Sequence, residues 1–155
     1  MFRFGIAWAL ASLVQLALAA GFTFNIGSPV AASDFRASKT AAFVFRTEGC
    51  AEPAKPEITG TAEGLVKGVR QSVALKLVET SKPGVYAVNQ NWPGEGAWVV
   101  ALKGMCADAN AGAIVPIGPN GFIRESSKLF PRPATSAEIE TSLKALAQVA
   151  QGGNK

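Results

Sequence analysis

The sequence predicts a mainly β domain, an antiparallel β-sandwich closed by one C-terminal helix, and three observations predict it. Short runs rich in β-branched and aromatic residues recur at roughly ten-residue spacing, separated by Gly, Pro and Asn. Two of the turns between these runs have the loop parity that a single shared apolar face demands. A helical pattern appears after Thr135, behind a capping signal.

Ala42-Phe43-Val44-Phe45-Arg46-Thr47 reads as the first strand. The loop Cys50–Pro56 follows, where Pro53 and Pro56 cannot donate to a ladder. Ile58–Ala62 is a second, weaker strand, and Gly64 and Gly68 mark a turn-rich passage. Ser72–Glu79 then alternates, with Val73, Leu75 and Leu77 on one face. Val85–Gln90 places Tyr86 and Val88 on one face, and Ala97–Lys103 places Trp98, Val100 and Leu102 on one face. These faces coincide in a meander if the first loop is even and the second odd. Ser81-Lys82-Pro83-Gly84 is an even loop suited to a type II turn, and Gly94-Glu95-Gly96, or the five residues Trp92–Gly96, is an odd one, the shorter setting Trp92 opposite Trp98.

After Gly104-Met105-Cys106 the sequence predicts a small-residue loop, then Ala113–Ile117, a Gly118-Pro119-Asn120-Gly121 hairpin turn, and Phe122–Glu125. Pro116 restricts its strand to an edge. Thr135-Ser136-Ala137-Glu138 is a capping box, Ile139, Leu143, Leu146 and Ala150 follow helical spacing, and Gly152-Gly153 ends the helix. The narrow apolar stripe suits a helix that covers a sheet.

The first twenty residues are of another kind. Met1-Phe2-Arg3 is a short positive region, and no residue from Phe4 to Ser33 is charged. Ile6–Ala20 is apolar all round and ends in small residues at Ala17, Ala19 and Ala20, the pattern a signal peptidase reads. Cleavage is expected after Ala19 or Ala20, with a second candidate at Val30-Ala31-Ala32. The rival is an uncleaved membrane anchor. The organisation expected is therefore a signal peptide or anchor over 1–20, a linker over 21–40, the sandwich over 41–130, and a helix with its tail over 131–155.

Export gives Cys50 and Cys106 a meaning. Two cysteines in an oxidising compartment imply one disulfide, and with two there is one possible pairing. A redox pair would normally be close in sequence, as in C-x-x-C, so a structural bond is expected.

Pro83-Gly84-Val85-Tyr86-Ala87-Val88, followed by Gly96-Ala97-Trp98-Val99-Val100, resembles a hairpin pattern of immunoglobulin-like sandwiches, in particular bacterial YtkA-like extracytoplasmic domains. Ile58-x-Gly60, Gly68 and Val73-x-Leu75 are similar to carboxypeptidase regulatory-like, transthyretin-type domains. The resemblance implies an immunoglobulin-like fold in an extracytoplasmic compartment, and implies no activity.

Composition narrows function by subtraction. The chain has 155 residues, 15 basic and 11 acidic side chains and no histidine. Without histidine there is no Ser-His-Asp or Cys-His nucleophile and no His-ligated metal. The acidic residues form no calcium loop, so no metal or other cofactor is expected. The basic residues are scattered, without the stripe a nucleic-acid binder concentrates, so no nucleic-acid partner is expected. The expectation is a non-enzymatic, exported (periplasmic or secreted) binding or accessory domain for a protein, glycan or envelope component, meeting the membrane only through its N-terminal segment. Trp92, Glu95 and Trp98, grouped near one expected hairpin tip, are the candidate binding surface, although core packing explains such tryptophans as well. The alternatives are the same domain tethered by its N-terminus, or an enzyme using carboxylates, for which Glu95, or Glu63 with Lys67 and Arg70, are the local groupings.

Overall fold

The structure, a computed structural model, describes residues 21–29 and 41–153. The expected signal peptide over 1–20 and the later cleavage candidate after Ala32 lie outside the described residues. Ten strands and one α-helix are formed among those described: β1 Thr23–Gly27, β2 Ala41–Glu48, β3 Glu57–Val66, β4 Val69–Ala74, β5 Leu77–Glu79, β6 Val85–Asn89, β7 Ala97–Cys106, β8 Ala109–Gly118, β9 Gly121–Phe122, β10 Lys128–Phe130 and α1 Ser136–Gly152. Two antiparallel sheets face each other. One has the order β1-β2-β6-β5, and the other β10-β8-β7-β3-β4 with β9 paired to β8. The mainly β sandwich with a C-terminal helix is thus present.

Three crossings carry the chain between sheets, after β2, β4 and β6. They explain where the expected meander holds and where it fails. The β5–β6 hairpin has the expected even loop: Leu77 opposes Val88, Thr80 bonds Val85, and Ser81–Gly84 turn the corner. The Val85 N–H donates to the Lys82 carbonyl at 3.1 Å and Gly84 has φ +75°, as a type II turn requires at the glycine. The second hairpin is corrected. β6 and β7 do not pair, because both flanks of β7 are taken by β3 and β8. The single strand expected over Ser72–Glu79 also divides at Leu75-Lys76, sending β4 to one sheet and β5 to the other. The alternation survives this division. Val73, Leu75, Leu77, Tyr86, Trp98 and Leu102 all pack into the one core between the sheets, so a common inner face did not need a common sheet.

The linker expected over 21–40 is corrected at its start. Thr23–Gly27 is an edge strand paired with β2, and Phe22, Phe24 and Ile26 are buried. These residues continue the uncharged run, and their period of two is a strand signal. Phe24 meets Phe45 edge-on at 5.4 Å, and Phe45 stacks on Tyr86 at 5.2 Å, so an aromatic row crosses β1, β2 and β6.

The passage read as turn-rich around Gly64 is strand: β3 runs through it to a two-residue turn at Lys67-Gly68, both with positive φ. Gly64 lies under the Trp98 ring, where a Cβ would meet ring carbons at 2.6 Å. The small-residue loop expected after Cys106 is strand too. β7 and β8 pair as far as Cys106 and Ala109, closed by Ala107-Asp108. Its small side chains permit close packing: a Cβ on Gly112 would strike the Arg132 carbonyl at 2.3 Å. The Pro119-Asn120 turn of the β8–β9 hairpin is as expected. Pro116 is not on a bare edge. It sits where the neighbour of β8 changes from β10 to β9, and its carbonyl, on the same side as its nitrogen, accepts from Ile123 at 2.8 Å. The missing N–H falls in that gap.

Helix α1 docks on the outer face of the larger sheet, where Leu143 packs with Val99 and Ile114, and Ile139, Leu146 and Phe130 pack around them. The capping box is formed: the Glu138 N–H donates to Thr135 Oγ1 at 3.3 Å and the Thr135 N–H to Glu138 Oε2 at 2.8 Å. Arg132 adds a two-pronged donation to the same carboxylate, at 2.8 and 2.9 Å.

Cys50 and Cys106 are joined, with Cα atoms 5.7 Å apart. Cys50 follows β2 and Cys106 ends β7, so the bond fastens one sheet to the other. With a sequence separation of 56, it constrains the unfolded chain by about 4 kcal/mol in the loop-entropy description. Replacing both cysteines by alanine is expected to lower unfolding stability by about that amount, measured by urea denaturation under non-reducing conditions. A second expectation concerns pH. Arg132 hydrogen bonds, then the Thr135 N–H, lower the Glu138 carboxyl from its usual 4.5 to about 2. Since the folded value is depressed, this contribution is complete above pH 4.5 and is lost as pH falls towards about 2. Glu138→Gln should flatten the acid limb of stability across that window, read from denaturation midpoints.

Candidate functional site

Trp92 and Trp98 are brought together, though not as hairpin partners. Their ring centroids are 6.4 Å apart and tilted by 33°, and both residues are buried, at 5% and 2% exposure. Trp98 Nε1–H donates to the Glu95 backbone carbonyl at 2.8 Å, so its polar group is satisfied within the loop. Glu95 turns out to contribute its backbone: its exposed carboxylate lies 3.4 Å from Lys67. The three candidate residues therefore form a core anchor with a surface ion pair, and not an exposed aromatic platform.

What the anchor supports is a groove. Residues 90–96 cross from one sheet to the other over the end of the sandwich, tied down by Asn91 Nδ2, which donates to the Ala74 carbonyl at 2.8 Å, and by Gln90 Nε2, which donates to the Trp92 carbonyl at 3.3 Å. Between this crossing, the β8–β9 turn and the end of α1 lies a cavity of about 570 Å3. Trp92, Trp98, Ile117, Ile123, Leu146 and Val149 line it, with Gln90, and no charged residue among those described does. A second cavity of about 360 Å3 adjoins it along α1 and shares Ile123, Leu146 and Val149. Its other lining residues are Pro116, Ser126, Lys128, Ser142 and Ala145. Each cavity lies within the roughly 300–1,000 Å3 typical of small-molecule sites.

Ser142 is the least explained group in this wall. The residue is 6% exposed and its Oγ has no hydrogen-bond partner. The neighbouring Thr141 does what a helical hydroxyl usually does and donates to the carbonyl four residues back, Ala137, at 2.8 Å. Ser142 makes no such bond, and it belongs to the wall of the second cavity with its hydroxyl enclosed. Lys128 makes no ion pair among the described residues, and Val149 is 72% exposed. Sequence reasoning named Leu146 only as a docking residue and missed Ser142, Ala145 and Val149. They form a second stripe at i, i+3, i+7 beside the docked one, and a serine in an apolar stripe was the available signal.

The other carboxylate grouping is occupied by structure. Burial raises the Glu63 carboxyl, but hydrogen bonds from Thr61, Ser72 and Arg70 outweigh it, and the net shift is downward. Ser72 Oγ donates to Glu63 at 2.7 Å, and Arg70 reaches both Glu63, at 3.0 Å, and Glu140 on α1, at 2.8 Å. This network ties β3 and β4 to the helix. Among the described residues no three His, Cys, Asp or Glu side chains gather as metal ligands would, and no helix is long and apolar enough to cross a membrane.

Neither a protein-family model nor a curated protein nor a solved structure matches this chain. A buried hydroxyl without a partner costs roughly 1–3 kcal/mol. Ser142→Ala is therefore expected to raise the stability of the ligand-free protein by about 1 kcal/mol, seen as a higher denaturation midpoint at unchanged m-value.

Proposed function

We propose that this chain is an exported, non-enzymatic binding domain of the cell envelope or extracellular space, and that the groove along α1 is its binding site. The observation that carries the reading is the groove itself, lined by Ile117, Ile123, Leu146 and Val149 and backed by two buried tryptophans. The disulfide between the sheets supports an oxidising compartment. The carboxylates considered for catalysis are engaged, Glu63 by Arg70 and Ser72 and Glu95 by Lys67, and none lines the groove.

Strand β1 refines the expected processing. Cleavage after Ala19 or Ala20 keeps Phe22, Phe24 and Ile26, whereas cleavage after Ala32 removes all three from the core. At roughly 1.5–3 kcal/mol for each buried side chain, the later cut would remove most of the margin of a domain this size. The tethered alternative has one supporting observation: β1 begins two residues after Gly21, so an uncleaved segment would hold the sandwich directly against a bilayer.

Expression from its own N-terminus in a bacterial host, with fractionation and terminal sequencing, tests this. The expected result is an envelope or medium fraction beginning at Ala20 or Gly21, with no free thiol. A chain retained in the cytoplasm with two free thiols overturns the reading, and an intact N-terminus in the membrane fraction selects the tethered form.

A further inference from the structure

We infer that the edge of the larger sheet at β4 joins two copies of this chain, their β4 strands pairing antiparallel about a twofold axis at Ser72. What the groove binds has no bearing on this. The hydrogen-bond pattern of the β3–β4 ladder carries it. The Leu75 N–H donates to the Gly60 carbonyl at 3.0 Å, so the alternate residues Val73, Gln71 and Val69 also turn their main-chain groups towards β3. Those of Ala74, Ser72 and Arg70 turn away from it. The Ala74 carbonyl marks that direction by accepting from Asn91 Nδ2 at 2.8 Å. The N–H groups of all three, and the carbonyls of Arg70 and Ser72, have no hydrogen-bond partner among the described residues, and all three residues are exposed.

The other edges are poorer templates. β5 and β10 have three residues each. In β1, Phe24 opposes Thr47, whose N–H goes to Gly84, so the residues turned outward are Phe24 and Ile26, and both are buried. β4 has six residues, no lysine, no proline and no bulge, the devices that usually blunt an edge. Its one charge, Arg70, is matched by Glu63 and Glu140. Centring the axis on Ser72 uses all three outward residues of each strand. Ser72 then exchanges main-chain bonds with Ser72 of the partner subunit, and Arg70 with Ala74 of the partner subunit. The Ala74 carbonyl has a second lone pair for this bond. A shift of the axis by one residue leaves an outward residue of β4 unmatched, and centring on Arg70 sets like charges opposite each other. The Ser72 register also places Val69, 61% exposed, against Leu75 of the partner subunit. The two larger sheets then run on as one.

The test uses the oxidised chain in sedimentation equilibrium and in amide hydrogen exchange followed by NMR. The expected result is a dimer that grows with concentration. Exchange at Arg70, Ser72 and Ala74 should slow as it forms, while Gln71 and Val73, bonded to β3 in either state, change little. Ser72→Pro removes an N–H that the β3 ladder does not use, and should abolish the dimer with the fold retained by circular dichroism. The exposed Ala74 supplies a second arm that does not depend on that proline folding. Ala74→Glu faces Arg70 of the partner subunit and should tighten association about two- to tenfold, whereas Ala74→Arg should loosen it by a similar factor.

A chain that stays monomeric at about 1 mM overturns the inference and leaves the edge to an extended segment of some other protein. A dimer in which exchange at Arg70, Ser72 and Ala74 is unchanged overturns it as well, because the copies then meet elsewhere. A folded Ser72→Pro chain that still dimerises, or association indifferent to the sign of the charge placed at Ala74, has the same consequence.

Discussion

Strand β7 is bonded on both flanks, to β3 on one side and β8 on the other, and it is covered on both faces. Trp98, Val100 and Leu102 enter the core between the sheets, while Val99 meets Leu143 of α1 on the outside. A strand so enclosed admits no further partner, and the rest of the topology follows from that constraint. The chain arriving from β6 cannot form a hairpin with β7, so it must cross over the end of the sandwich. That crossing, residues 90–96, is the wall that carries Trp92.

Both ends of β7 hold features that matter beyond packing. At its start Trp98 lies over Gly64 of β3, against Trp92, with its N–H bonded to Glu95, and so sets the apolar end of the groove. At its finish Cys106 fastens the larger sheet to the smaller through Cys50. The groove and the covalent staple thus lie at opposite ends of one strand. The helix completes the site because its docked stripe, Ile139, Leu143 and Leu146, holds a second stripe at the mouth.

A groove that is merely apolar specifies nothing about its occupant. The wall of this one includes Ser142, and a buried hydroxyl without a partner is costly enough to need a reason. Glu63, Arg70 and Glu140 show the contrasting case, in which charged side chains are matched and serve to hold the helix to the sheet.

Local signals in the sequence were sufficient for the strand class, the Ser81–Gly84 turn, the Asn120-Gly121 hairpin, the capping box at Thr135 and Glu138, and the single available disulfide. Each depends on residues close in the chain, or on a count that leaves one answer. Alternation also assigned the inner faces correctly, because period two records which side is buried whatever the strand's neighbour. It does not record which neighbour is beside the strand, so the break at Leu75-Lys76 and the separation of β6 from β7 were decided by tertiary structure alone. The same limit hid β1: its period-two signal was present, but its pairing with β2 lies across the chain from 27 to 41. The groove lay further beyond reach. Its walls come from β8, the turn after it, Ile123, α1 and a crossing loop, and only their packing leaves an ordinary helical serine with a buried, unpartnered hydroxyl.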